Sequence, residues 1–384
     1  MTRVAVVGVG LTPLRPTTPE LSWKELMYEA ASKAYADADL DPRKEIGSFV
    51  TCAEDYWEGF GIFDEFVPDQ LGAVLRPACT VSGDGILGLA QAAMQIQSGL
   101  FDVVAVEAHS KASDLLTYHH IVQHALDPVL NKPLRGHPHY LAGLEMASFL
   151  ARSRNTAADC AAVVAKNRGN AMLNPLAAYP TRVTAEDANA SPPAFDPLRE
   201  LDQAALADGG AVLVLASERK ARKFARTPVW IRGYGWGNDS PNLETRDWTT
   251  AKYTELAAAA AYRMARVTKP AAAIDVAEVD DRFSYKELEH LEAAGLASRG
   301  GAGKAVRRGD FDRGGRLPVN PSGGSLGCGY ALEAAGLYRV GEVALQLRGE
   351  AGQRQVDGAR TGIAVSWRGI PTATGAVAVL GVGR

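Results

Sequence analysis

Cys79 is the first residue that could do chemistry, because it stands among small residues, "RPACTVSGDG", that lead into an amphipathic helix. A thiol at the start of a helix lies near the positive end of the helix dipole and near unpaired N–H groups, and both favour the thiolate. The stretch therefore indicates a cysteine nucleophile. From position alone, the alternative is a small cysteine buried in a tight turn.

A second reactive stretch is the glycine-rich segment "NPSGGSLGCGYALEAAG", residues 320–336. Its glycines allow the backbone to come close to a ligand, and they present Cys328 and Tyr330 at the start of a predicted helix. The segment lacks the Lys-Ser/Thr ending of a phosphate-binding P-loop, and no GxGxxG follows the first strand. Nucleotide hydrolysis and hydride transfer are therefore disfavoured.

The histidines are concentrated in one segment, since five of the seven lie between residues 119 and 139. His120 and His124 have the i, i+4 spacing of a helical metal pair, but no carboxylate is spaced to complete a zinc-protease signature. A solvated polar segment is the favoured interpretation, and no resident metal is predicted.

Composition limits the partners of the protein. With 384 residues, 47% hydrophobic and 22% charged, the sequence is typical of a globular protein with one large core or two fused domains. The net charge of −3 supplies no basic field for nucleic acid or anionic membranes. No apolar run approaches the roughly 20 residues of a membrane-spanning helix, and no signal peptide is recognised. A cytoplasmic location is therefore expected. The four cysteines contain no CxxC pair, which argues against a zinc knuckle and a disulfide framework.

The elements that must position these residues recur in two copies. An amphipathic helix, an Asp-Pro break and a strand occur in "SWKELMYEAASKAYADADLDPRKEIGSFVTCAED", and helix, Lys-Pro break and strand recur in "YTELAAAAAYRMARVTKPAAAIDVAEVDDRF". A glycine-rich turn, a helix and a buried strand follow each copy. We predict two similar α/β halves, residues 1–228 and 229–384, with a capping insertion at about 114–200. Continuous apolar strands such as "AVLVLAS" predict sheets covered by helices on both faces.

These stretches together resemble the thiolase superfamily, especially its sterol-carrier-type and archaeal members. "ACTVSG" resembles the nucleophile turn, "KNRGNAMLNPLA" a signature of the insertion, "LRELDQAALADGGAVLVLASE" the end of the first half, and "NPSGGSLGCG" the second catalytic loop. The resemblance implies the five-layered αβαβα thiolase fold and a homodimer. It also implies acyl-CoA or CoA as substrate without a resident cofactor, and a small partner built from a zinc ribbon and an OB-fold.

The sequence also departs from the family pattern at three catalytic positions. Tyr330 stands where the family has the histidine that deprotonates the cysteine, and Asp280 stands where a second histidine begins the acidic strand end. Ser366 or its neighbour replaces the cysteine of a late Cys-x-Gly that handles the α-proton. Of the usual constellation, the resemblance leaves only Cys79.

The residue types at these positions suggest their roles. A neutral tyrosine is a poor base but a good hydrogen-bond donor to a developing oxyanion, which is the role expected for Tyr330. Cys328 is expected to replace the missing proton-handling cysteine, and the alternative is a cysteine packed under the loop. His109 is a candidate for activating Cys79 and for contacting CoA. Backbone contacts to the acyl-CoA are expected at three glycines: Gly324, Gly329 and Gly369.

Three functions follow from this pattern. The first is a divergent thiolase, an acyltransferase in which Cys79 forms an acyl-enzyme and a carbon–carbon bond beside the thioester is made or broken. The second is an aldolase-type lyase that uses Tyr330 and needs no cysteine nucleophile. The third is a non-catalytic thiolase-like subunit that binds CoA or the partner protein.

Overall fold

The protein is represented by a computed structural model that describes residues 2–54, 62–224, 226–240 and 242–383. The strands are β1 (Val4–Leu11), β2 (Ser48–Cys52), β3 (Ala78–Val81), β4 (Val103–Ser110), β5 (Pro193–Phe195), β6 (Leu198–Arg199), β7 (Gly209–Ser217), β8 (Val229–Asn238), β9 (Val276–Val279), β10 (Thr361–Trp367) and β11 (Thr374–Gly381).

The α-helices connect and cover these strands. They are α1 (Trp23–Ala38), α2 (Pro42–Glu45), α3 (Pro68–Leu71), α4 (Gly85–Gln97), α5 (Tyr118–Val122), α6 (Pro138–Arg152), α7 (Ala157–Ala171), α8 (Ala185–Ala190), α9 (Glu218–Ala221), α10 (Lys252–Ala265), α11 (Pro270–Ala273), α12 (Ser284–Ala293), α13 (Ala302–Arg307), α14 (Gly324–Cys328) and α15 (Ala335–Arg348). Within the described part of the chain, none of them has the length and apolar content to cross a membrane.

The strand order confirms the predicted duplication. In the first half β2 is parallel to β3 and β4, and β7 is antiparallel to β4 and β1. In the second half β9 is parallel to β10, and β11 is antiparallel to β10 and β8. An isolated parallel bridge between Ala277 and Val319 stands where β3 pairs with β2. The division at residues 228 and 229 stays a prediction, and this correspondence supports it.

The halves meet through a short pairing of β1 with β8, which gives the order β3-β2-β4-β7-β1-β8-β11-β10-β9. Helix α1 covers the outer face of the first half, and α10 and α12 cover the outer face of the second. Helices α4 and α15 lie between the two halves and share one core with the inner faces of both. The predicted five-layered αβαβα fold is therefore confirmed.

The sequence dictates this layering through the strands. Strands β4 and β7 are buried at every position, as expected for strands with helices on both faces. Helices α4 and α15 bury apolar side chains against the strands of both halves, and this burial makes them the central layer.

The insertion supplies α5 to α8 and the β5–β6 hairpin, and α7 packs directly on α14. Three asparagine amides fix this contact: Asn167 donates to Asp281 Oδ2 at 2.8 Å, Asn170 to the Asn320 carbonyl at 3.0 Å, and Asn174 to the Ser322 carbonyl at 2.9 Å. These are the asparagines of the "KNRGNAMLNP" stretch. Their side chains hold the glycine-rich loop, residues 320–330, in place.

Candidate active site

A cavity of about 520 Å³ opens where the two halves meet. Its walls come from strand ends in both halves, because Ser82 follows β3, Arg282 follows β9 and Arg368 follows β10. Helix α5 of the insertion and Tyr330 at the end of the glycine-rich loop complete the walls. A cavity of this size is typical of small-molecule sites, and its walls combine apolar side chains with charged ones.

Tyr330 is fixed to this cavity by its backbone. Its N–H donates to the Ala205 carbonyl at 2.8 Å, and its carbonyl accepts from the Ala207 N–H at 3.0 Å. The side chain is 4% exposed, and the Arg282 guanidinium lies over its ring at 4.2 Å from the centroid. Burial raises the pKa of Tyr330 well above its ordinary value, and Arg282 opposes this rise only in part. The phenol is therefore a neutral hydrogen-bond donor at neutral pH.

Arg282 was not predicted from the sequence, yet it organises this wall of the cavity. Its N–H donates to Asp280 Oδ1 at 3.0 Å, and its carbonyl accepts from the Ala204 N–H at 2.9 Å. Its Nη2 donates to the hydroxyl of Tyr118, which comes from α5. One buried guanidinium thus lies between two buried phenols, an arrangement that can stabilise negative charge developing on an oxygen.

Asp280 was predicted as catalytic, and the structure places it behind the cavity. Its buried carboxylate pairs with Arg339 Nη2 at 2.9 Å, and its carbonyl contacts His290 Nδ1 at 2.8 Å. It is not among the described residues that line the cavity. Its contact with the Arg282 N–H gives it a positioning role, and direct participation in catalysis stays a prediction.

Cys79 lies away from the cavity. The expectation that it begins a helix is wrong, because its pairing with Val50 places it inside the edge strand β3. Helix α4 starts only after Asp84, whose side chain accepts the Ile86 N–H at 3.0 Å. Cys79 Sγ contacts Gln95 Nε2 at 3.6 Å, and burial raises the pKa of the thiol. The structure thus gives no support for thiolate activation by the helix dipole, and the nucleophile role stays a prediction.

Ser82, three residues after Cys79, lines the cavity. Its hydroxyl donates to Glu54 Oε2 at 2.8 Å and accepts from Arg368 Nη2 at 2.9 Å. Arg368 is also ion-paired with Glu54. The strand ends therefore present a neutral hydroxyl between paired charges.

Cys328 faces a smaller cavity of about 40 Å³ beneath the glycine-rich loop. Its Sγ donates to the Ser322 carbonyl at 3.1 Å and contacts Asn174 Nδ2 at 3.4 Å. Burial raises the pKa of this thiol. Gly324 and Gly329 line the same small cavity. This placement supports the alternative of a cysteine packed under the loop, and a catalytic role for Cys328 stays a prediction.

Gly324 allows the glycine-rich loop to close onto Asp281. Its φ is +57°, and a Cβ at this position would lie 2.1 Å from Asp281 Oδ2. The same carboxylate accepts the N–H groups of Ser325 and Leu326 at 2.6 and 3.1 Å. The glycine thus shapes the loop, and its predicted contact with CoA is untested.

Two other predicted residues lie outside the cavity lining that the described residues form. His109 is buried in β4, with its ring 5.4 Å from that of Trp23 and 5.2 Å from that of Phe63. Ser366 is fully buried in β10 beside Asp84. The predicted roles of His109 toward Cys79 and CoA, and of Ser366 in catalysis, stay predictions.

The histidines of the insertion form a cluster in which the rings of His119, His137 and His139 are 4.1, 4.9 and 5.2 Å apart. Burial lowers the pKa of all three, to about 3 for His139. Of the two histidines with i, i+4 spacing, His124 contacts Lys132 Nζ at 3.0 Å. Across the described ranges, no group of histidines, cysteines and carboxylates has the arrangement of a metal site.

Comparison with known proteins shows the family of this chain. The family described as thiolase C-terminal domain-like matches residues 235–382. An acetyl-CoA acetyltransferase of Methanothermobacter thermautotrophicus is 31% identical over 371 residues, which are 94% of this chain and 95% of the relative. This chain belongs to the thiolase superfamily. A further relative, sterol carrier protein 2 of Oryctolagus cuniculus, is 30% identical over 380 residues, covering 94% of this chain and 69% of the relative.

Solved structures of the superfamily share the architecture. The structure of an Ltp2-ChsH2(DUF35) aldolase has a TM-score of 0.85 and 25% identity and covers 100% of this chain and 98% of the other. A human mitochondrial 3-ketoacyl-CoA thiolase in complex with CoA has a TM-score of 0.76 and 16% identity, with the same coverage. The predicted thiolase fold is confirmed.

Within this thiolase-superfamily protein, most of the cavity lining was not predicted from the sequence, and four residues of that lining show why. Arg282 had a signal, since it belongs to the "VDDRF" stretch quoted for Asp280. Ser82 belongs to the "ACTVSG" stretch, in which Cys79 was the predicted nucleophile. The other two, Tyr118 and Glu333, have no pattern of their own, because only the tertiary fold brings α5 and the turn after the loop together.

Gly369 provides a test of the Arg282 site. Its φ is +97°, and a Cβ there would lie 2.4 Å from Arg282 Nη1 and 3.4 Å from the Tyr330 hydroxyl. We expect Gly369→Ala to displace the guanidinium and to lower kcat/KM roughly 10²-fold, the scale of a misplaced catalytic group. Steady-state kinetics against the substrates considered below would measure this change.

The matched control is Gly358→Ala. Gly358 also has a positive φ, +74°, but nothing lies within 4 Å of an added Cβ. This variant carries the backbone strain of about 1–3 kcal/mol without the collision. Equal losses of activity in the two variants would contradict a specific role for Arg282.

Proposed function

We propose that this protein is an aldolase-type lyase that breaks, or in reverse forms, the bond between the α- and β-carbons of a β-hydroxyacyl-CoA. One observation carries the proposal: the cavity between the halves brings Tyr330 against Arg282 and Tyr118, whereas no cysteine is among its described lining residues. The aldolase alternative raised by the sequence fits this lining better than an acyl-enzyme on Cys79.

The chemistry needs two things that the cavity can supply. Cleavage of the Cα–Cβ bond leaves an enolate of the thioester, whose oxygen carries negative charge and needs preorganised donors. The neutral phenol of Tyr330 and the guanidinium of Arg282 are such donors, and both are buried where water does not weaken the interaction. Tyr330 then protonates the α-carbon to release the shortened acyl-CoA.

One comparison supports this proposal and another supports the second candidate. The Ltp2-ChsH2 structure, with its TM-score of 0.85, is that of an aldolase. The Methanothermobacter thermautotrophicus relative is instead named an acetyl-CoA acetyltransferase, which favours acyl transfer through Cys79 as a second candidate. The partly buried position of Cys79 in an edge strand, away from the cavity, weighs against that second candidate.

Cys79→Ala separates the two candidates. We expect this variant to retain aldol cleavage within about twofold of the wild type, because Cys79 is not among the described residues that line the cavity. Incubation of the wild-type protein with acetyl-CoA should leave its intact mass unchanged. A mass increase of one acetyl group that Cys79→Ala abolishes would instead establish the acyl-enzyme route.

The remaining partner predictions belong to this proposal. The substrate is expected to be an acyl-CoA, the protein a homodimer in the cytoplasm, and a small zinc-ribbon/OB-fold protein a partner. The DUF35 component of the Ltp2-ChsH2 aldolase supports a two-protein enzyme of this kind. Light scattering of the purified protein would determine its oligomeric state.

A further inference from the structure

Glu333 lies inside the same cavity as Tyr330 and has no role in the function proposed above. It is 8% exposed and lies on the short turn Leu332–Ala334, which begins two residues after the tyrosine. Burial is the main reason that the pKa values of Tyr118 and Tyr330 are raised, and the charge of Glu333 raises both further. The carboxylate is therefore an electrostatic neighbour of both phenols.

The backbone before Glu333 is held in an unfavourable conformation. Leu332 has a φ of +45°, in the left-handed region that branched side chains rarely adopt. The turn is closed by the Ala334 N–H, which donates to the Ala331 carbonyl at 2.9 Å. Strain of this kind persists where surrounding structure enforces it, and it is concentrated at functional sites. Here the strained residue is the one immediately before Glu333.

Two other carboxylates line the cavity, and their surroundings differ. Glu54 is ion-paired with Arg368 and accepts the Ser82 hydroxyl, so it belongs to the group at the strand ends described above. Asp239 is only partly buried and accepts the N–H of Ser240 at 2.7 Å. Of the three, Glu333 is the most deeply buried, and it lies three residues after Tyr330 in the sequence.

We propose that Glu333 is the general base that removes the β-hydroxyl proton of the substrate. This assignment rests on the proposed aldolase function and deepens it. The hydroxyl O–H bond breaks and its proton moves to the carboxylate while a C=O forms at the β-carbon. The electron pair of the Cα–Cβ bond becomes the enolate of the thioester. Tyr330 gives its phenolic proton to the α-carbon, and the proton held by Glu333 restores the phenol, so that no external oxidant or reductant is needed.

The experiment uses the full chain and three β-hydroxyacyl-CoA thioesters with an alkyl, an aryl and a polycyclic β-substituent. We expect Glu333→Gln, which keeps the shape of the side chain, to lower kcat about 10²-fold or more with KM nearly unchanged. Glu333→Asp should keep part of the activity. Added formate should restore the activity of Glu333→Ala at least tenfold, which a structural role does not explain. Asp239→Asn, at the cavity rim, should lose less than Glu333→Gln.

Three outcomes would overturn the assignment. Glu333→Gln with kcat within fivefold of the wild type would show that another group takes the proton. A rise in KM without rescue by formate would show a binding or structural role. If the wild-type protein cleaves none of the three thioesters, the proposed function fails together with this assignment, and that result is distinguishable because it appears before any variant is made.

Discussion

Tyr330→Phe is expected to lower kcat for cleavage of a β-hydroxyacyl-CoA by about 10²–10⁴-fold, the usual contribution of a positioned acid–base group. The substitution removes the hydroxyl that donates to the enolate oxygen and protonates the α-carbon. The ring itself remains packed against Arg282, 4.2 Å from the guanidinium, so the fold is expected to be unchanged. Steady-state kinetics and the thermal midpoint would be measured side by side.

Tyr140→Phe is the matched control, because Tyr140 lies on the insertion with 49% of its surface exposed. It should retain wild-type kcat. An active Tyr330→Phe variant would remove the basis of the aldolase proposal, since the cavity would then have to supply its acid from elsewhere.

Lys286→Met is expected to cost about 3–5 kcal/mol of unfolding free energy, the range for breaking a buried ion pair by removing one partner. Lys286 Nζ lies 2.8 Å from Glu145 and 2.7 Å from Glu289, and all three side chains are almost completely buried. Methionine would leave two buried carboxylates without their cation. Because Glu145 is on α6, the loss should also loosen the insertion. Urea denaturation followed by circular dichroism would measure the change.

Lys252→Met supplies the comparison for this prediction. Its ion pair with Glu255 has a similar length, 2.7 Å, but half of the lysine side chain is exposed. Exposed pairs contribute about 0–1 kcal/mol, so little change is expected. If both variants lost the same stability, burial would not be the factor that makes the Lys286 cluster important.

The layered fold and the glycine-rich loop could be predicted because their signals are local. Helix, break and strand follow one another in each half, and the spacing of apolar residues survives even where the two copies differ. Tyr330 was identified because the glycine-rich turn presents it before a predicted helix and because the resemblance places the family's histidine at this position. Local patterns of this kind specify elements and loops well.

The geometry of the site could not be predicted, because it depends on where strands end and on contacts distant in sequence. Cys79 and Ser82 are neighbours in one stretch, and only the pairing of β3 with β2 decides which of them reaches the cavity. Arg282 meets Tyr118 across 164 residues. No spacing in the sequence reports such a contact.

The three asparagine amides that hold the glycine-rich loop limit how this fold can be recombined with that of a relative. Asn167 and Asn170 lie in the last turns of α7, and Asn174 lies in the turn that follows the helix, so one short stretch carries all three amides to the loop. A chimera that receives its insertion from another superfamily member will keep a correctly shaped loop only if amide side chains recur at these three positions. The insertion and the glycine-rich loop would therefore have to be exchanged together in such a chimera.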